Sequence, residues 1–164
     1  MPLSVVSQTS SYTAEVARAE PLSAAIQDYL KELYKLGAAR ERVPVTALAR
    51  AQRVSAASAS GMVKKLDALR LVRHEPYRGV ALTEAGERVA VEVIRHHRLL
   101  ELYLAETLGV DVADVHDEAD RLEHALSEEL EARIDRALGF PTHDPHGDPI
   151  PDANLRWPAV AGSE

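Results

Sequence analysis

Apolar residues in this chain recur first at helical spacing. Between residues 22 and 36, Leu22, Ile26, Tyr29, Leu30, Leu33 and Leu36 share one helix face, and Gly37 supplies a stop. Residues 45–51 predict a short helix entered through Pro44, with Leu48 and Ala49 turned inward, and Ser55 caps a second helix reaching about Leu69. Two short helices joined that tightly have the pattern of a helix-turn-helix, the second carrying Ser55, Ser58, Ser60, Lys64 and Lys65 opposite Met62, Leu66 and Leu69. The pattern then turns to strands: residues 71–75 and 80–82 flank the turn Pro76-Tyr77-Arg78-Gly79 and predict a β-hairpin with a basic tip, placed where a wing would be. Thr83 caps a long helix over 84–107, which Gly109 ends; helices follow over 112–126 and, capped by Ser127, to Leu138. Residues 1–20 lack sustained periodicity and predict a flexible N-terminal arm, while residues 141–164 open with four prolines by position 151 and predict a Pro-rich tail outside the packed elements.

Charge divides the chain more sharply than periodicity does. The net charge of -7 argues against a nucleic-acid partner until its distribution is read. Residues 40–80 hold nine Lys and Arg against three acids, a net +6, whereas residues 81–164 hold seven Arg against nineteen acids, a net -12. A basic module suits phosphate neutralisation, and an acidic one attracts cations. The absence of Cys removes thiolates and leaves His nitrogens and carboxylate or amide oxygens as metal donors. No run of apolar residues suffices to cross a bilayer and the first twenty residues lack a signal-peptide pattern, so the expectation is a cytoplasmic protein with no membrane partner.

The candidate chemistry lies in the acidic half. His116, Asp120, Glu123 and His124 fall within about 100° of helix surface, so their donors could converge on one ion. His97 and Glu101 form a second pair, four residues apart, on the preceding helix. An acidic helix that merely exposes its charges fits the same spacing, and helix-turn-helix pairs also occur as plain structural units.

Taken together, Asp28-Tyr29-Leu30, the winged region ending Leu82-Thr83-Glu84-Ala85-Gly86, His97-Arg98-Leu99-Leu100-Glu101, Val115-His116-Asp117-Glu118-Ala119, Glu123-His124 and Gly147-Asp148-Pro149-Ile150-Pro151 resemble the diphtheria toxin repressor family of metal-dependent bacterial regulators. The resemblance is nearest the manganese-responsive branch and runs over residues 26–151. It implies a mainly α fold: a winged helix-turn-helix DNA-binding domain over 21–86 and a helical metal-binding and dimerisation domain over 87–140. It implies a primary metal site of Asp28, Asp120, Glu123 and His124 and an ancillary one of His97, Glu101 and His116. Iron-responsive members carry Met and Cys where this chain has Asp28 and Asp120, and carboxylates in their place harden the site toward Mn(II), with Fe(II) second. Lys31 stands where the manganese branch carries another carboxylate, which favours separated sites over a close metal pair. Many iron-type members add an SH3-like domain, and this sequence ends before one could form; His143 and His146 lie in the Pro-rich segment, where ligand roles are not expected.

The function implied is a repressor, not an enzyme, that controls manganese or iron homeostasis and binds a pseudo-palindromic double-stranded operator as a homodimer once Mn(II) or Fe(II) is bound. Thr46, Ser55, Ser58, Lys65 and Arg78 are expected at the DNA backbone and Ser60 and Gly61 nearest base edges, with Lys64 also among the DNA-binding residues. Two alternatives stand beside it. One is a winged-helix regulator answering a non-metal effector. The other is a zinc hydrolase, because Asp120-Arg121-Leu122-Glu123-His124 departs from H-x-x-E-H only at its first position.

Overall fold

The Ser23 hydroxyl accepts the Ile26 amide at 3.3 Å and starts α1, Ala24–Lys35, whose buried side carries Ile26, Tyr29, Leu30 and Leu33. The computed structural model describes residues 21–160; the expected arm at residues 1–20 and the last four residues of the tail lie outside them. Helix α2, Val45–Gln52, is followed by Arg53 in the left-handed region at φ 54°, and then by Ser55, whose hydroxyl accepts the Ser58 amide to cap α3, Ala56–Ala68. Strands β1, Val72–Glu75, and β2, Gly79–Leu82, pair antiparallel with Val72 opposite Leu82. A bridge from Val80 to Val43, invisible to periodicity, ties this wing to the segment before α2. It runs past Gly79, where a Cβ would lie 2.5 Å from the Val43 carbonyl oxygen and φ is +101°.

Thr83 caps α4, Glu84–Glu106, which joins two cores. Ala90 packs with Leu30, Leu33, Leu48, Val63, Leu66 and Val80 around the winged helix, and nearly three turns on, Leu99 and Leu100 pack with Ala119, Ile134 and Ile150. At 1.5 Å per residue, α4 is about 34 Å long, enough to act as the common wall of both. Helix α1 lies against it.

Two expectations are corrected. The helix expected over 112–126 is α5, Val115–Leu122, because Asp111 turns the chain first: its side chain accepts the Ala113 amide at 2.8 Å and its carbonyl accepts the Val115 amide. At the other end Glu123 caps the helix and His124 lies in the following turn. Helix α6, Glu128–Ala137, closes the set under the Ser127 cap. The Pro-rich segment, expected to be a loose tail, is packed: Ile150 is 2% exposed, Arg95 donates to the Pro151 carbonyl at 2.8 Å and Arg98 to that of Pro149 at 2.6 Å. Farther on, the Trp157 ring stacks on Tyr34 of α1 and its indole N–H reaches the Tyr34 hydroxyl at 3.0 Å.

Candidate metal centre

Where α1, α4 and the end of α5 meet, carboxylates and imidazoles crowd together. They form three groups, each with donor atoms within 4.8 Å of one another: Asp28, Glu123 and His124; His97, His116 and Asp120; and Glu101, Asp144 and His146. The break after Leu122 creates the first group. It lets Glu123 turn inward, fully buried, while His124 reaches α1, its Nε2 2.9 Å from Asp28 Oδ1 and its Nδ1 2.8 Å from Gln27 Oε1. His96 helps hold that turn, with Nε2 2.6 Å from Glu131 and Nδ1 3.3 Å from the Glu123 carbonyl.

His97 stands at the centre. Its Nδ1 donates to Glu123 Oε2 at 2.6 Å and lies 3.2 Å from Asp120 Oδ1, while its Nε2 donates to Glu101 and faces His116 Nδ1 at 3.1 Å. Asp120 therefore lies with His97 and His116, its Oδ2 3.4 Å from His116 Nε2, rather than in the triad of Asp28, Glu123 and His124. Of the two tail histidines, His146 comes to the centre, Nδ1 2.8 Å from Glu101 Oε2, while the His143 ring meets the Thr142 hydroxyl and its backbone bridges to Pro149. Local periodicity missed Asp144 and His146 because they arrive on an irregular segment. The signal present was Ile150, an apolar residue among prolines that needed a core to enter.

Burial would lower the His97 pKa, but hydrogen bonds to Glu101 and Glu123 outweigh it and push it up to about 9. Burial would likewise raise both carboxyls, yet His97 first and its neighbours next bring Glu101 down to about 2, and His97 with Lys31 lowers Glu123. The donor set fits a hard divalent cation. Sulfur is absent from it, and Glu101 Oε2 is buried without a well-directed hydrogen bond even though His146 lies close.

The chain as a whole has relatives among known proteins. Residues 21–80 match the N-terminal DNA-binding domain of the iron-dependent repressors, and residues 83–152 match their metal-binding and dimerisation domain. The chain belongs to the iron-dependent repressor family. It is 39% identical over 127 residues to the iron-dependent repressor IdeR of Mycobacterium tuberculosis, a match covering 75% of this chain and 54% of that one. With an HTH-type transcriptional regulator of Methanocaldococcus jannaschii it shares 36% over 114 residues, covering 69% of this chain and 91% of the relative. A solved manganese-dependent transcriptional repressor in complex with manganese superposes with a TM-score of 0.74 at 45% identity, over 83% of this chain and 63% of that one. The chain thus spans about half the length of the curated iron-dependent and diphtheria toxin repressors it matches, 54% in each.

In the DNA-binding domain that this repressor family shares, the side chains expected at DNA are on the surface: Thr46, Ser55, Ser58, Gly61, Lys64, Lys65 and Arg78 are exposed and Ser60 is half-buried. Ser55 is partly committed to the cap and also meets the Ser58 hydroxyl at 2.9 Å. In the wing Arg78 is 76% exposed at its side chain and pairs with Glu75, which also holds Arg42 at 2.6 Å. Among the described residues no helix is long and apolar enough to cross a membrane.

Proposed function

We propose that this chain is a metal-dependent transcriptional repressor of manganese or iron homeostasis, with Mn(II) its preferred effector and Fe(II) second, acting on a double-stranded operator as a cytoplasmic homodimer. One observation carries the proposal: the donor cluster spans the two domains, with Asp28 on α1 of the DNA-binding domain meeting His124 and, through it, the Glu123 turn. Asp28, Glu123 and His124 would hold one ion, and His97, His116 and Asp120 a second, with Glu101 beside it leading on to His146 and Asp144. A bound cation supplies a charge that many carboxylates can share, and oxygen-rich donors favour Mn(II) despite its low place in the affinity order.

The chain's own part is mechanical. Asp28 fixes α1, the helix on which the helix-turn-helix rests, against the acidic domain, and His124 and Glu123 fix the turn that receives it. An effector shifts such an equilibrium only by its differential affinity, so the donors must close better in the DNA-competent arrangement. Thr46, Ser55, Ser58, Lys64, Lys65 and Arg78 then meet phosphates, and Ser60 and Gly61 approach base edges. A recognition helix poor in Arg, Asn and Gln leaves much of the specificity to DNA shape. Dimerisation would cover large apolar side chains that the acidic half leaves exposed, among them Leu108, Val112, Leu122, Leu130 and Phe140.

Neither alternative finds support. The cavity beside the cluster, about 240 Å³, is lined largely by Lys, Arg, His, Asp and Glu, a poor fit for an apolar effector. For a hydrolase, Asp120 replaces the histidine ligand and Glu123 is tied to Lys31 and His97 rather than free to act as a base. The test is operator binding measured in parallel with Mn(II), Fe(II), Zn(II) and chelator, for the parent and Asp28→Ala. Binding that ignores chelator, or an Asp28→Ala protein that responds to Mn(II) like the parent, sinks the proposal.

A further inference from the structure

Lys31 is the unexpected member of the cluster. It lies on α1 three residues after Asp28, hence on the same helix face, and is 9% exposed. Its ammonium donates to Glu123 Oε1 at 2.5 Å and lies 3.5 Å from Asp120 Oδ1. Glu123 has two oxygens and both are taken, Oε2 by His97 and Oε1 by Lys31. Oε1 is also the oxygen that faces His124 Nε2, at 3.4 Å, and so the one that would join His124 and Asp28 around an ion.

We propose that Lys31 is a built-in competitor for the metal, an ammonium that occupies the Glu123 oxygen a divalent cation needs and so raises the metal concentration at which the protein responds. The inference rests on the metal-dependent reading above and adds to it a residue that sets the response threshold. Two positive charges cannot share one buried carboxylate oxygen at contact distance without strong repulsion, because the surrounding dielectric is far below that of water. One must leave. The lysine has somewhere to go, since it lines the cavity of about 240 Å³ beside the cluster, which Glu101, Asp144 and Asp148 also line and where an ammonium would find carboxylates. A flexible four-carbon stem makes that swing possible, as the rigid fork of an arginine would not. The same contact has a structural benefit. A fully buried carboxylate is costly without cationic partners, and Lys31 supplies one beside His97.

Competition and mere support give opposite results, which makes the proposal testable on the full chain with Mn(II) alone. Affinity is measured by titration calorimetry, and thermal midpoints in chelator and in saturating Mn(II), for the parent, Lys31→Met and Lys31→Gln. Lys31→Gln keeps an amide donor for Glu123 should the methionine variant fold poorly. The expected result is Mn(II) binding tighter by about tenfold or more, the scale of one charge pair at a partly buried site. It comes with a lower midpoint than the parent in chelator and a gap that closes or reverses in Mn(II). Unchanged or weaker affinity in variants with parent-like circular dichroism overturns the proposal and leaves Lys31 as a positioning residue for Glu123. A parent that takes up no Mn(II) defeats the metal-dependent reading itself, whereas a parent that binds normally beside unresponsive variants defeats only the role given to Lys31.

Discussion

His97 shows how much chemistry one side chain concentrates here. With Glu123 on one ring nitrogen and Glu101 on the other, it is an imidazolium clamped between carboxylates, its pKa held near 9 against 6.5 for a free histidine. Because the folded value lies above the unfolded one, the resulting stability is fully present below about pH 6.5 and is lost as pH rises through about 9. In chelator the thermal midpoint should therefore fall across that window, and His97→Gln should flatten the fall while lowering the plateau. A parent profile that stays level from pH 6.5 to 9.5 would show that the clamp is absent. The same proton must depart before His97 can ligate, so Mn(II) uptake near pH 7 should release protons, read by calorimetry in buffers of different ionisation enthalpy. Glu101 runs the other way: lowered to about 2, it contributes stability above its ordinary range that is lost only in strong acid.

Among the elements, α4 carries the tightest fit. A Cβ on Gly86 would come 1.9 Å from the Leu71 carbonyl oxygen, which accepts the Thr83 amide at 3.1 Å, so the helix start is pressed against the end of the helix-turn-helix. Gly86→Ala should cost about 1–3 kcal/mol, as overpacking does, with a lower urea midpoint and an unchanged slope. Retained stability would mean that α4 can slide away freely. The helices, the wing and their order were legible in the sequence because each buries one apolar face at a regular period, and Ser55, Thr83 and Ser127 mark three of the starts with hydroxyl caps. What was not legible is irregular. The Asx turn at Asp111 shortens α5, and the prolines of residues 141–151 hide a segment fastened by Arg95 and Arg98 to backbone carbonyls. Such bonds leave no periodic trace. For the same reason His97, Glu101, His116, Asp120, Glu123 and His124 stood out from their spacing, whereas Asp28 needed a family resemblance, and Asp144 and His146 needed the fold.

At the scale of the whole molecule, a basic reader of net +6 is joined to an acidic sensor of net -12. The basic half should make operator binding steeply salt-dependent, and Arg78→Ala in the wing should weaken all sequences about equally while reducing the salt slope by about one. Loss of discrimination at a single base pair would instead assign Arg78 to base reading. The deeper consequence lies in the joint between the halves. Asp28 and Lys31 on α1 meet His124 and Glu123 beyond α5, so the element that carries the DNA-binding core also supplies part of the proposed cation site. If metal binding strengthens operator binding by some factor, the operator must strengthen metal binding by the same factor, because the two routes to the ternary complex share their end states. That factor should fall in the range of about 5 to 150 typical of allosteric coupling. It can be measured both ways, as operator affinity with and without Mn(II) and as Mn(II) affinity with and without operator. Asp28→Ala should reduce the factor toward one more than it weakens either binding alone, since Glu123, His124 and the ancillary donors remain to hold an ion and Lys64, Lys65 and Arg78 remain to hold DNA. A variant that loses Mn(II) affinity but keeps the parent's coupling would show that α1 only helps to bind the ion and that the domains communicate elsewhere. The Trp157 contact to Tyr34 would then be the next joint to test, because it also ties the acidic half to α1.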